Sequence, residues 1–318
     1  FEGTDSLSDK VAQNSIRSQK EQLYDPLLVR EDVTALRNLL LEKGHPFARV
    51  GSRIEKSEDG LLVVFEIEEG PEVLLRSIDL KGEGSIPTDE ILPRLKLRTR
   101  SFLGLMENGK FDPRLLDEDL EKIREYYVVK GFFDAEVTLD RMEFGADLKA
   151  LRLVIEIEEG PRYRIGKVEF KFDGKPLFDE SILRDTLQIG AGEAWDGEIV
   201  KDDSDRLRLL YSDRAYIDAV VNPSVIYPLE GEDVILRYQI TEGNRVFADE
   251  IEFRGNAATK DSVIRRQLEI FPGEELYPDR IQDSLSSLYR LQYFQQIRPF
   301  FDSSDEPEQR PIVFEVME

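Results

Sequence analysis

The chain repeats itself, and no other feature limits its fold as strongly. Glu66-Ile67-Glu68-Glu69-Gly70-Pro71 returns as Glu156-Ile157-Glu158-Glu159-Gly160-Pro161, then as Gln239-Ile240-Thr241-Glu242-Gly243, and last as Glu315-Val316-Met317-Glu318. Each copy closes an alternating apolar run such as Leu62-Val63-Val64-Phe65, the pattern of a half-buried strand, and Gly marks its stop. A second echo opens each unit: Phe1-Glu2-Gly3, Ile78-Asp79-Leu80-Lys81-Gly82, Val168 to Gly174, and Ile251-Glu252-Phe253-Arg254-Gly255. It reads as a short strand with apolar residues two apart, ended where the backbone turns.

Two helical stretches lie between these strands. The first follows a capping residue, Ser6 or Ser8, Thr88, Asp179 and Thr259. The second carries one stripe throughout: Val29, Val33, Leu36, Leu40; Leu116, Leu120, Ile123, Tyr127; Val200, Ser204, Leu207, Tyr211; and Ile281, Leu285, Leu288. That spacing predicts one buried helix face. Gly44 and Gly131 follow Lys43 and Lys130, a basic last turn before a glycine cap. A further strand begins at Ala48 and Val50, Ala135 and Val137, Ala219 and Val221. The fold class is therefore α+β: four tandem strand-helix-helix-strand-strand units, each a three-stranded sheet covered by two helices. The expected units are 1–73, with its first strand truncated, 74–163, 164–246 and 247–318. The short junctions, such as Pro71-Glu72-Val73, are too stiff for a flexible string and predict an extended array.

Charge and composition remove several function classes. Asp and Glu number 66 against 43 Lys and Arg, a net charge of −23. That balance opposes a phosphate-tracking nucleic-acid binder and a polybasic membrane-surface protein. There is no Cys, so disulfides, thiolate nucleophiles and thiolate-bound zinc are excluded. The single His, His45, rules out any site needing two imidazoles. No apolar run approaches the roughly 20 residues of a membrane helix. The start, Phe1-Glu2-Gly3, reads as the middle of an element, so a trimmed fragment without an address label is expected.

The unit resembles the POTRA domain, the polypeptide-transport-associated module. The residues that carry the likeness run from Lys110-Phe111-Asp112-Pro113 through Leu120 to Tyr127 and on to Lys130-Gly131-Phe132-Phe133-Asp134-Ala135. They are similar to the third such domain of BamA-type outer-membrane assembly factors. Ile189 to Trp195 with Arg214-Ala215-Tyr216 resembles the fourth domain, and Phe253 to Asn256 with Leu291-Gln292-Tyr293-Phe294 the barrel-proximal one. Ala215 and Gln292 stand where the family usually has Gly, so those two helix exits are expected to lack a free left-handed residue. The resemblance implies a periplasmic region at the outer membrane that receives unfolded outer-membrane proteins, works beside accessory lipoproteins, and precedes a membrane barrel. It implies binding without enzymatic chemistry and without a cofactor. The alternatives are the same module in a TamA-type or two-partner-secretion transporter, or a scaffold for a folded partner.

Candidate sites follow from both arguments. His45 has no ligand-type neighbours and reads as structural. Asp202-Asp203-Ser204-Asp205 lacks the Gly that a calcium loop needs at its sixth position and reads as an exposed acidic helix turn. Gly190-Ala191-Gly192 lacks the residues of a phosphate loop, and Trp195 beside it reads as packing. Glu68-Glu69 reads as the end of an exposed strand. The cation-rich run from Arg94 to Met106 offers Arg98, Arg100, Phe102 and Leu103 as a contact for a partner or for anionic lipid. The remaining candidates are sheet edges, which can accept a strand. These are 47–56, 134–142, 216–227 and 294–301 by the likeness to POTRA domains. The lead is Ala135, Glu136, Val137, Thr138, Leu139 and Asp140, because Pro223 and Pro228 remove donors from the third unit's edge. Period two puts Ala135, Val137, Leu139 and Arg141 on one face, and Glu136, Thr138, Asp140 and Met142 on the other.

Overall fold

A computed structural model describes residues 1–57, 60–82, 84–99, 109–302, 304 and 306–318. The chain divides into two units, Phe1–Pro161 and Arg162–Glu318, each holding two repeats. The first repeat contains α1 (Asp9–Ser15), α2 (Pro26–Glu42), β1 (Arg49–Ser57) and β2 (Gly60–Glu68). The second contains β3 (Leu74–Gly82), α3 (Thr88–Ile91), α4 (Leu116–Val129), β4 (Glu136–Phe144) and β5 (Ala150–Glu158). The third contains β6 (Arg164–Phe172), α5 (Glu180–Thr186), α6 (Gly197–Ser212), β7 (Val220–Ile226) and β8 (Asp233–Thr241). The fourth contains β9 (Phe247–Arg254), α7 (Asp261–Arg265), α8 (Pro278–Arg290), β10 (Gln296–Phe301) and β11 (Gln309–Met317).

Three sheets share one plan, β3-β5-β4, β6-β8-β7 and β9-β11-β10. The opening strand lies parallel to the central one, and the post-helix strand antiparallel to it. Among the described residues the first repeat has a two-stranded antiparallel sheet of β1 and β2, and a single parallel bridge ties Glu2 to Glu66 of β2. The stripes expected on the second helices face their sheets: Leu36, Leu40, Ile123, Tyr127, Leu207, Tyr211 and Leu288 are all buried. Each fully buried Leu or Ile of this kind contributes about 1.5–3 kcal/mol.

Two side chains per repeat tie the parts together, both carboxylates in the first three repeats, and neither was read this way from the sequence. Asp32, Asp119 and Asp203 lie on the buried face of the second helix, each at most 1% exposed. Each fork takes two backbone N–H groups from the segment after the first helix. Asp119 receives Lys96 and Leu97 at 2.7 Å each, Asp203 receives Gln188 at 2.8 Å and Ile189 at 3.0 Å, and Asp32 receives Arg17 and Ser18. In the fourth repeat the Ser284 hydroxyl accepts from Glu269 N–H. Asp203 is thus a buried tie and not an exposed turn. A charged acceptor for otherwise unpaired donors is among the stronger hydrogen bonds in a fold.

The second carboxylate is the last Glu of each repeated motif. Glu69 accepts from Thr4, Asp5 and Ser6, Glu159 from Ser85 N–H and the Tyr127 hydroxyl, Glu242 from Leu177 N–H and the Tyr211 hydroxyl, and Glu318 from Ala258 and Thr259. Burial pushes the Glu69 carboxyl up, but these hydrogen bonds outweigh it and hold the group below its ordinary range. Burial, with Glu159 and Glu242 alongside, pushes the Tyr127 and Tyr211 hydroxyls up. This tie replaces the local caps expected at Thr88 and Thr259. Thr88 is the first helical residue behind Pro87, and α7 begins at Asp261 behind Lys260. Ser8 and Asp179 do hold cap positions, with no side-chain cap bond.

Helix exits use left-handed backbone in all four repeats. Gly44 and Gly131 lie at φ 88° and 94°, as the glycine caps predict. Ala215 and Gln292 lie at φ 64° and 58°, so the conformation is kept where the glycine is not. The exit turn also seats the next repeat within each unit. Val73 N–H donates to Gly44 C=O at 2.7 Å, and Val246 N–H to Ala215 C=O at 2.8 Å. Phe47 meets Phe144 at 5.4 Å between ring centres, and Arg310 pairs with Asp218 at 2.5 Å.

Candidate strand-accepting edge

β4 reaches its edge position through the exit of α4. Lys130 ends the helix, Gly131 reverses the chain, and Phe132 sets its ring edge-on to Tyr127 at 5.6 Å. Ala135, 2% exposed, then anchors the start of the strand in the core. Val137 and Leu139 face that core, while Glu136, Thr138 and Asp140 are exposed. Among the described residues β4 pairs with β5 alone, so its outer row of N–H and C=O groups has no strand partner.

The period-two reading fails beyond Leu139. Leu139 stands opposite Ile155 and Arg141 opposite Val154, leaving Asp140 as a bulge. Alternation resumes one residue out of step. Met142 and Phe144 therefore pack on the core and Arg141 turns to solvent, the reverse of the expected faces. A bulge re-aims side chains in this way and increases local twist. Charges stabilise it across the sheet. Lys81 Nζ lies 3.1 Å from Asp140, and Arg141 bridges Asp140 at 2.5 Å and Glu143 at 2.7 Å. The hydrogen bond from Lys81 holds the Asp140 carboxyl below its ordinary value, and that from Arg141 does the same for Glu143.

The other edges differ. β7 carries Pro223 opposite Tyr238, and β10 carries Pro299 opposite Phe314, so each lacks one donor. Between α6 and β7 runs a groove of about 450 Å³, walled by Trp195, Val200, Ser204, Val221, Pro223 and Val225. Trp195 is buried, as expected of a packing residue, but it also lines this groove. The groove was not anticipated. Its only trace in the sequence is the Val221–Val225 alternation facing the Val200–Ser204 stripe.

Arg98 lies against its own repeat, donating to the carbonyls of Leu92 at 3.3 Å, Pro93 at 3.2 Å, and Leu95. Arg100, Phe102 and Leu103 lie outside the described residues. His45 is 8% exposed, with Nδ1 3.1 Å from Gly70 C=O. Among the described residues no three His, Cys, Asp or Glu side chains are grouped as metal ligands, and no helix is long and apolar enough to cross a membrane.

The profile of the POTRA family, described as "Surface antigen variable number repeat", matches residues 1–70, 73–160, 163–243 and 247–318. The chain belongs to the POTRA family. Among curated proteins it is similar to the outer membrane protein assembly factor BamA of Nitratidesulfovibrio vulgaris, 23% identical over 93% of this chain and 38% of the relative. It is also similar to BamA of Buchnera aphidicola, 22% identical over 77% of this chain and 40% of the relative. The chain thus spans about two fifths of the length of these relatives. Among solved structures, BamA POTRA3-5 of Haemophilus influenzae shares the fold, with a TM-score of 0.56 and 20% identity over 77% of this chain and 96% of that one. The POTRA arrangement of three-stranded sheets under paired helices is therefore the frame in which β4 is an edge.

Proposed function

We propose that this POTRA array is the periplasmic receiving and scaffold region of a BamA-type outer-membrane assembly factor. It binds unfolded outer-membrane proteins at a sheet edge and presents them, with accessory lipoproteins, to a barrel carried by the same protein. It works by binding and not by enzymatic chemistry. The open rim of β4, with no proline in its row and its register pinned by Ala135, Val137 and Leu139, supports this reading most. A strand that docks there is read through main-chain bonds, so many client sequences fit.

Each added backbone bond contributes about 0.5–1.5 kcal/mol net. Ordering the client offsets most of that gain, so dissociation constants fall between about 1 μM and 1 mM, equivalent to roughly −8 to −4 kcal/mol. Weak binding suits a client that must be passed on. Proline replacement at Val137 and, separately, at Thr138 tests the site. Adjacent N–H groups point to opposite rims, so one variant removes an outward donor and the other a donor paired with β5. The variant that keeps its thermal midpoint loses binding of alternating apolar peptides. Equal peptide binding by that variant would remove β4 as the receptor.

A further inference from the structure

The fourth repeat closes its own sheet edge with a side chain. Tyr289 is the last but one residue of α8, and the chain then reverses through Gln292 at φ 58°. Leu288 faces the core from the helix, and Phe294 and Ile297 face it from the returning chain, so helix end and strand start are held together. The reversal brings the Tyr289 hydroxyl onto the main chain of Ile297. It accepts from Ile297 N–H at 3.0 Å and donates to Ile297 C=O at 3.3 Å. These are the two bonds that an added antiparallel strand would make with Ile297.

The contact lies on the outer rim of β10. The N–H and C=O of one strand residue point to one side, and those of the next residue to the other. Asp302 N–H donates to Pro311 C=O at 3.0 Å, which puts the even-numbered residues against β11. Ile297, Pro299 and Phe301 therefore share the rim. Proline has no N–H, so Pro299 offers an incoming strand its C=O alone. With Ile297 taken, the rim position left to donate is Phe301, at the end of the strand.

The other repeats lack this contact at the same place. Three residues ahead of the left-handed exit stand Leu41, Val128 and Ser212, where the fourth repeat has Tyr289. Leucine and valine carry no hydroxyl, and Ser212 turns its own back to Arg208 C=O at 3.0 Å. Tyr289 is not locked in. It is 45% exposed, so swinging its ring into solvent breaks two hydrogen bonds between neutral groups and little packing.

We propose that Tyr289 is a latch on the edge of the fourth repeat: its hydroxyl stands in for a strand at Ile297, and the β10 edge accepts an alternating apolar client strand only once the ring has swung away. This deepens the receiving role given to the sheet edges and rests on it. A capped rim also guards against unwanted strand pairing. The edges are then unequal, β4 open at rest and β10 conditional.

Tyr289→Phe removes the hydroxyl and keeps the ring. In the 318-residue chain this variant frees Ile297 N–H, whose exchange with solvent deuterium rises at least tenfold. A ten-residue peptide of alternating apolar and polar residues then shifts the NMR signals of residues 296–301 and binds there at least tenfold more tightly than to the unaltered chain. Tyr289→Ser, which copies the third repeat, does the same. Unchanged exchange at Ile297, no gain in peptide binding by either variant, or equal binding at 296–301 by the unaltered chain would overturn the latch. Residues 136–144 report the receiving role of β4 in the same samples. Shifts there with 296–301 silent in both variants remove the latch alone, and shifts at 296–301 of the variants with 136–144 silent remove β4 alone.

Discussion

The second and third repeats share the same internal ties and present different edges. In both, a buried helix aspartate, Asp119 or Asp203, holds two N–H groups, and a strand-end glutamate, Glu159 or Glu242, holds a loop and a tyrosine hydroxyl. Their rims diverge. β4 has a bulge and a charged outer face, while β7 has a proline and an apolar groove beside it. The frame and the edge are encoded by separate residues. Groups buried between elements keep the repeat in shape, and the rim residues are what differ from one repeat to the next.

If the frame is common, breaking the tie should cost both repeats alike, and this is the largest effect expected. Asp119→Ala and Asp203→Ala each leave two backbone donors without an acceptor. At about 1–3 kcal/mol per unsatisfied buried group, each variant loses roughly 2–6 kcal/mol. Denaturant unfolding measures this. A loss in one repeat and none in the other would break the comparison.

The helix exits sharpen it at a smaller scale. Gly131→Ala places a side chain at φ 94° and costs about 1–2 kcal/mol. Ala215→Gly is close to neutral, because relieved strain is offset by a lost buried methyl, about 0.8 kcal/mol, and by added unfolded-state entropy. Gln292 is exposed and loses little packing, so Gln292→Gly stabilises by up to about 1 kcal/mol. Thermal unfolding of the three variants orders them.

These effects also show what a sequence can reveal. Repeats and helix stripes were legible because each is a local period set by which face is buried. The ties were not, because Glu69 serves residues some 65 places away and Asp203 looks like one carboxylate in an acidic run. Thr88 and Thr259 looked like caps for the same reason: the real acceptor lies at the far end of the repeat. The strand of the candidate edge was visible in Ala135, Val137 and Leu139, but the bulge was not. Asp140 stands out only once Lys81 and Arg141 converge on it from separate positions. Backbone strain at Ala215 was hidden because alanine is a poor signal for a left-handed turn.

The claim that matters most is that β4 accepts a client strand, and an amide-resolved NMR titration tests it most directly. The probe is a ten-residue peptide of alternating apolar and polar residues, added to the 318-residue chain. The account predicts fast-exchange shifts concentrated on residues 136–144 and on the facing residues of β5, with weaker change along β7. Shifts confined to the α6–β7 groove, with 136–144 silent at millimolar peptide, would contradict it.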